Sequence, residues 1–271
     1  MLMMKRAKKI WKILCACMAV AGAGGAWAQS TVLNELTSRQ DGRQWASVGR
    51  LDIAGKGFCT ASLIREDLIL TAAHCIYDRD HTAISADRFT FSAGLREGRA
   101  EAYRSIAAVV AHSDFRPGGA IEASEVAHDL ALLRLSQPIR LPSLAPYPIA
   151  GSPRRGDTVG VVSYAKGREE APSLQEICDV LGQQDGVIIL TCEVDFGASG
   201  SPVFRDNNGI LEIVSVVSAM SETNGRPISL GASLGAPLDA LVQEIDDMQT
   251  GLPQSITPGQ RRDTGAKFIR P

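Results

Sequence analysis

The sequence predicts an all-β chain closed by a C-terminal α-helix, and three observations carry that expectation. Short β-rich runs broken by Gly, Pro, Asp and Asn follow one another from Trp45 to about Ser218. Regular short strands with turn signals between them read as a sandwich or barrel, whereas strands alternating with helical segments would read as a parallel sheet. Towards the end the period changes: Leu238, Leu241, Val242, Ile245 and Met248 step by three and four, which puts them on one face of a helix. Finally, 271 residues with 45% hydrophobic and 21% charged side chains can bury a substantial core, which excludes a disordered chain and a multi-span membrane protein.

Taken in order, the strand candidates are residues 47–53, 60–64, 68–71, 89–93, 106–111, 130–135, 158–163, 187–190, 202–204 and 210–217. The run 130–135 is too apolar to be anything but buried. Gly251 and Pro253 stop the helix. Residues 252–271 are rich in Pro, Gly, Gln and Arg without apolar period and read as a mobile tail. No internal repeat is visible.

Residues 1–28 read as a secretory signal: a basic stretch up to Lys9, an apolar stretch from Ile10 to about Gly25, then Ala26-Trp27-Ala28 with small residues where a signal peptidase cuts. The mature chain is expected to start at Gln29, to form one domain over 29–251, and to be secreted or periplasmic. As a membrane anchor the stretch falls short, since it carries Lys12 and thins into Gly and Ala before reaching the about 20 apolar residues a span needs. Lipid on Cys17 would leave only about six apolar residues upstream. No stable membrane span is therefore expected after signal removal. With Lys5, Arg6, Lys8, Lys9 and Lys12 set aside, acids outnumber bases in the remainder, which argues against nucleic acid as a partner.

Export lets thiols pair. Beyond Cys15 and Cys17 the chain has Cys59, Cys75, Cys178 and Cys192, which permit three connectivities. The short spacings favour two local clasps, Cys59 with Cys75 and Cys178 with Cys192, each worth about 3 kcal/mol in the chain-entropy model. Four buried reduced thiols are the alternative.

Three segments stand out as carriers of chemistry. Leu70-Thr71-Ala72-Ala73-His74-Cys75 places a histidine after an apolar strand and beside a cysteine. Asp129-Leu130-Ala131-Leu132 sets a carboxylate at the mouth of a buried strand. Gly197-Ala198-Ser199-Gly200 puts a serine in a glycine-flanked turn. Singly, they could be a satisfied core histidine, a strand-capping aspartate and a loop serine. A serine hydroxyl, however, is a poor nucleophile until a base takes its proton, and imidazole, titrating near about 6.5, does this at neutral pH when a carboxylate fixes its tautomer. His81, His112 and His128 have no partner at zinc-ligand spacing and read as surface or strand-end residues, so no metal is expected.

In the order His, Asp, Ser, the three segments resemble those of trypsin-like (chymotrypsin-fold) serine proteases, similar to bacterial trypsin-like and glutamyl-endopeptidase-like members, over roughly residues 45–248. The resemblance implies two six-stranded antiparallel Greek-key barrels with the site in the cleft between them. It implies Ser199 as nucleophile, His74 as general base and acid, Asp129 as the group that orients His74, and the amides of Gly197 and Ser199 as oxyanion donors. The function implied is a serine endopeptidase acting through an acyl-enzyme on protein or peptide substrates, as a monomer and without cofactor. The alternative is a catalytically inactive protease-fold binding protein.

Val214-Ser215 resembles the family strand that pairs with substrate backbone, with Ser215 bonding the catalytic carboxylate and Val216 and Val217 at the mouth of the specificity pocket. Glu193, six residues before Ser199, stands where trypsins keep the acid that binds Lys or Arg at P1, and Asp195 lies near it. The acids pull towards a basic P1 residue and the branched valines towards a small aliphatic one; the charge argument is taken as the expectation. The chain departs from the family at Ala198, where trypsin-type zymogens have an aspartate for a newly cut N-terminal amine. It has no Ile-Val-Gly-Gly start after Gln29 or near Arg43, and Ala61 replaces the glycine of a common Thr-Gly-Ser. Activity is thus expected without trypsin-style cleavage.

Overall fold

The computed structural model describes residues 31–38, 40–118 and 122–250. The expected signal (1–28) and tail (252–271) lie outside the described residues. The strands are β1 (Asn34–Glu35), β2 (Val48–Ile53), β3 (Gly57–Arg65), β4 (Leu68–Thr71), β5 (Phe89–Ala93), β6 (Ala102–Ala111) and β7 (Ala131–Leu135), then β8 (Thr158–Ala165), β9 (Arg168–Gln184), β10 (Val187–Leu190), β11 (Pro202–Asn207), β12 (Ile210–Thr223) and β13 (Arg226–Ser233). A short helix α1 (Ala123–Ala127) precedes β7, and α2 (Ala236–Thr250) follows β13.

Strands β2-β3-β4-β7-β6-β5 close into an antiparallel barrel, and β8-β9-β10-β13-β12-β11 pair in the corresponding order, with β8 on β9 completing the ring and β1 added at β9. The two halves thus share one topology although their sequences show no repeat.

Side-chain alternation explains how continuous apolar runs are buried on both faces. In β4 and β7, Ile69, Leu133 and Leu135 point into the first barrel with Leu51, Leu63, Phe89 and Phe91. Their neighbours Leu68, Leu70 and Leu132 join the layer between the barrels, which also takes Val162, Tyr164, Phe204 and Val216 and the helix residues Leu238, Leu241 and Ile245. Val161, Val180, Ile188, Leu190, Val203 and Val214 fill the second barrel. Of the 3.6-residue pattern in α2, Leu238, Leu241, Val242 and Ile245 lie on that middle layer, while Met248 is exposed.

Two long strands went unread in the sequence. Strand β9 runs through charged residues and a proline, and β13 is interrupted by Pro227, Gly231 and two serines. Neither alternates cleanly, because partners on both sides, not local pattern, hold them in place.

One charge sits inside the apolar β7. Arg134, buried, donates to Asp67 at 2.5 Å, to Asp246 of α2 at 2.7 Å and to the Ile245 carbonyl at 3.0 Å, and Arg65 bonds Asp246 through two nitrogens at 2.8 Å. This network fastens α2 to the first barrel. Arg134→Met is expected to cost about 2 kcal/mol, less than a wholly buried pair because the two carboxylates can rehydrate. Arg65 first, and Arg134 after it, hold the Asp246 carboxyl below its usual range. A depressed carboxyl stabilises the fold above its unfolded pKa of about 3.9 and that contribution is lost as pH falls below it. Urea unfolding from pH 7 down to pH 3 should therefore show a steeper acid loss in wild type than in Asp246→Asn.

Candidate active site

His74 lies in a short 3-10 turn, Ala73–Ile76, directly after β4. Two contacts hold the turn. The Cys59–Cys75 disulfide, with Cα atoms 6.3 Å apart, ties it to β3. Lys56, invisible as a candidate in the sequence, donates from Nζ to the carbonyls of His74 at 3.2 Å, Cys75 at 3.4 Å and Tyr77, capping the open carbonyls of the turn. Burial lowers the Lys56 pKa, and nearby Asp78 opposes that shift.

Asp129 follows α1 at the start of β7 and is almost wholly buried. Its Oδ1 accepts the His74 backbone N–H at 2.8 Å, and its Oδ2 lies 2.7 Å from His74 Nδ1. Ser218 donates its hydroxyl to the same Oδ2 at 2.5 Å. Three donors therefore compensate a carboxylate removed from water, and with Nδ1 engaged the imidazole is left with Nε2 to offer.

Ser199 comes from the turn before β11. Its carbonyl accepts the Thr60 N–H at 2.9 Å, Thr60 Oγ1 donates to the Gly197 carbonyl at 3.0 Å, and Thr71 Oγ1 donates to the Thr60 carbonyl at 2.8 Å. Two threonines of the first barrel thus clasp the serine turn of the second. Gly197 has φ +97° and a Cβ there would lie 2.3 Å from the Phe58 ring; at Gly200, φ +81°, it would lie 2.2 Å from the Thr60 carbonyl. Both positions need glycine for conformation and for space. The amides of Ala198, Gly200 and Ser201 donate to the carbonyls of Asp195, Val217 and Ala198. Among the described residues those of Gly197 and Ser199 have no acceptor.

His74, Asp129 and Ser199 meet at one open cavity of about 550 Å³. No hydrogen bond joins the Ser199 and His74 side chains among the described residues; such bonds commonly tighten only when substrate binds. The remaining walls are mostly apolar, with Val194, Phe196, Ala198, Val217, Ala219 and Met220 prominent.

Four specificity assignments fare differently. Val217 lines the cavity. Ser215 does not reach Asp129: it is buried and donates to the Ala232 carbonyl at 2.8 Å. Val216 packs in the layer between barrels and is not a pocket residue. The reason is two irregularities in β12. In the pairing with β11, Val203 faces Ser215 and Phe204 faces Ile213, leaving Val214 over; in the pairing with β13, Val217 faces Gly231 and Ala219 faces Leu230, leaving Ser218 over. An extra residue changes which face a side chain takes, and Ser218 is the one sent towards Asp129.

Glu193 is exposed and does not line the cavity. Its N–H is held at 2.7 Å by the side-chain carbonyl of buried Gln175, whose amide in turn donates to the Thr31 carbonyl at 2.9 Å. Asp195 lines the cavity but accepts the Phe196 N–H at 2.7 Å. The nearby cation is Arg168, whose pKa burial lowers while Asp195, Glu35 and Glu193 oppose the change. These acids already face an arginine of the chain itself. Cys178 and Cys192 form the second disulfide, with Cα atoms 5.0 Å apart, between β9 and the segment leading to Glu193.

Two six-stranded barrels that meet at a cavity lined by a histidine on a buried carboxylate and a serine define a serine endopeptidase. The chain belongs to the trypsin-like peptidase domain family, whose model matches residues 55–211, more than half of the sequence and inclusive of all three side chains. A collagenase of Hypoderma lineatum is 28% identical, over 63% of this chain and 70% of the collagenase. The fold is shared with a solved Glu endopeptidase, TM-score 0.62 at 19% identity, which covers 80% of this chain and 96% of that one. It is also shared with a thermostable serine protease from an extremophilic microorganism, TM-score 0.60 at 18% identity, covering 76% and 99%.

Proposed function

We propose that this endopeptidase works through Ser199, His74 and Asp129 by way of an acyl-enzyme. The observation that carries the reading is the buried Asp129, which accepts both the ring and the backbone N–H of His74 at the cavity that Ser199 shares. Ser199 Oγ attacks the scissile carbonyl carbon while its proton passes to His74 Nε2. The imidazolium is stabilised by Asp129, and the oxyanion is received by the free N–H groups of Gly197 and Ser199. Collapse breaks the C–N bond, His74 returns the proton to the leaving amine, and the acyl group remains as an ester on Ser199. Water, deprotonated by His74, then attacks the ester and releases the acid. Fluorophosphonate treatment of the folded protein is expected to place one covalent label, on Ser199 by peptide mapping. A folded protein that takes no label would overturn the reading and favour a binding protein.

The mostly apolar wall, with Glu193 outside it and Asp195 turned to the Phe196 N–H, favours an apolar P1 residue in place of the basic one expected from Glu193. An aliphatic side chain entering between Val194, Val217 and Ala219 gains about 1.5–3 kcal/mol from burial, whereas a guanidinium held against those three side chains would lose water to apolar walls. In a P1 peptide library kcat/KM for Val and Leu is expected to exceed that for Arg and Lys by about tenfold or more. A preference for Arg that disappears in Glu193→Gln would restore the basic pocket.

Buried Ala198 leaves no carboxylate for an N-terminal amine, and the serine turn is instead held by Thr60 and the Ala198 to Asp195 backbone bond, so activity needs no ion pair from chain cleavage. Secretion or a periplasmic location agrees with the two disulfides.

A further inference from the structure

The peptidase chemistry leaves three of the chain's four histidines unused, and the fold stacks two of them, His112 and His128. Ala111 at the end of β6 pairs with Ala131 at the start of β7, and the next residue, His112, donates its N–H to the Leu130 carbonyl at 2.9 Å. This brings His112 beside His128, with ring centroids 4.8 Å apart and planes 22° from parallel. The chain after His112 turns back, so that the Asp114 N–H donates to His112 Nδ1 at 3.2 Å. His112, Asp114 and His128 can each bring one ligand atom to within 4.8 Å of the other two. None of the three lines the catalytic cavity.

We propose that His112, Asp114 and His128 bind a divalent transition metal of the zinc type. Zinc holds nitrogen and carboxylate oxygen at about 2.0–2.2 Å in tetrahedral geometry, so its ligand atoms stand roughly 3.3 Å apart. Closing the remaining gap takes rotation of exposed Asp114 and a small shift of the half-buried rings. The Asp114 N–H contact puts the proton of neutral His112 on Nε2, which leaves the Nδ1 lone pair for the metal in exchange for that amide contact. Burial first, and then His128, disfavour protonated His112, while Asp114 and Glu244 of α2 act the other way. Two imidazoles and one carboxylate suit zinc, nickel or copper and not calcium or magnesium, which prefer oxygen throughout. The fourth position is left to water. Because the metal would join the exit of β6 to the approach of β7, it binds the folded chain alone and raises its stability.

Sequence spacing missed this group, since His112 and His128 are neighbours only through the β6–β7 pairing. The test is calorimetric titration of the metal-stripped mature protein with zinc chloride, together with its melting temperature. One site per chain in the micromolar range is expected, with a rise in Tm. His112→Gln and His128→Gln should each weaken binding by about tenfold or more and abolish the rise, while His74→Gln and His81→Gln leave both in place. In wild type alone, imidazole nitrogen spectra should show zinc moving two of the four histidines, which covers the case that a variant fails to fold. No saturable binding by about 1 mM zinc, unchanged affinity in His112→Gln and His128→Gln, or binding lost with His74→Gln would overturn the proposal.

Discussion

Replacing Ser199 by alanine is expected to lower kcat/KM for a peptide substrate by about 10⁴- to 10⁶-fold with an unchanged melting temperature, because the hydroxyl is the attacking group and its loss leaves only binding and oxyanion stabilisation. His74→Ala should fall in the same range, and the double variant should lose little more than the worse single one, since the groups act as a unit. Asp129→Asn keeps the shape but presents the wrong hydrogen-bonding partner to Nδ1, and a loss near 10⁴-fold is expected. The two serines of β12 separate the structure from the sequence reading. Ser218→Ala removes a charge-assisted hydrogen bond from Asp129 and should cost about tenfold in kcat, while Ser215→Ala, whose hydroxyl serves Ala232, should leave kcat nearly unaltered. Substantial turnover by Ser199→Ala would end the mechanism, and equal effects of the two β12 serines would end the role given to Ser218.

The second large effect is expected from one methyl group. Gly200→Ala places a Cβ 2.1 Å from Thr71 Oγ1, 2.2 Å from the Thr60 carbonyl and 3.0 Å from the Ala72 nitrogen, at a φ of +81°. Two of those three atoms are backbone and cannot swing away, so the serine turn must leave the first barrel and break the Thr60 to Ser199 bond. Displacing the nucleophile by about 1 Å costs on the order of 100-fold, and the clash adds several kcal/mol of instability. Gly209 is the control: its φ is +87°, but a Cβ there meets nothing within 4 Å. Gly209→Ala should cost only about 1–2 kcal/mol of backbone strain with full activity. Stopped assays and denaturant titrations on both variants check this. If the two behaved alike, the clasp between barrels would not be what positions Ser199.

The short apolar or alternating runs of β2, β4, β5 and β10, the helical period of α2, and the residues His74, Asp129 and Ser199 were all legible in the sequence, because each is written within a few neighbouring positions. The disulfide pairs were legible for the same reason, being short loops. Strands β9 and β13 were not, since their apolar content is diluted by charged residues, serines, glycine and proline, and partners on both sides hold them. Nor was the shared topology of the barrels, which rests on pairing order and needs no similarity of residues. At the site, counting from a motif holds only while alternation is unbroken. It therefore chose Ser215 over Ser218 and carried Val216 into the pocket, because the two irregularities in β12 change which faces the residues take. It placed Glu193 in the pocket, where tertiary contacts with Gln175 hold the backbone and leave Val194 and Val217 at the wall. By itself the sequence determined which chemical groups this protein has and the local elements that carry them. Only the tertiary structure decided which serine reaches Asp129, what charge the pocket presents and which histidines become neighbours, because those depend on bulges and on contacts between distant segments that no local pattern records.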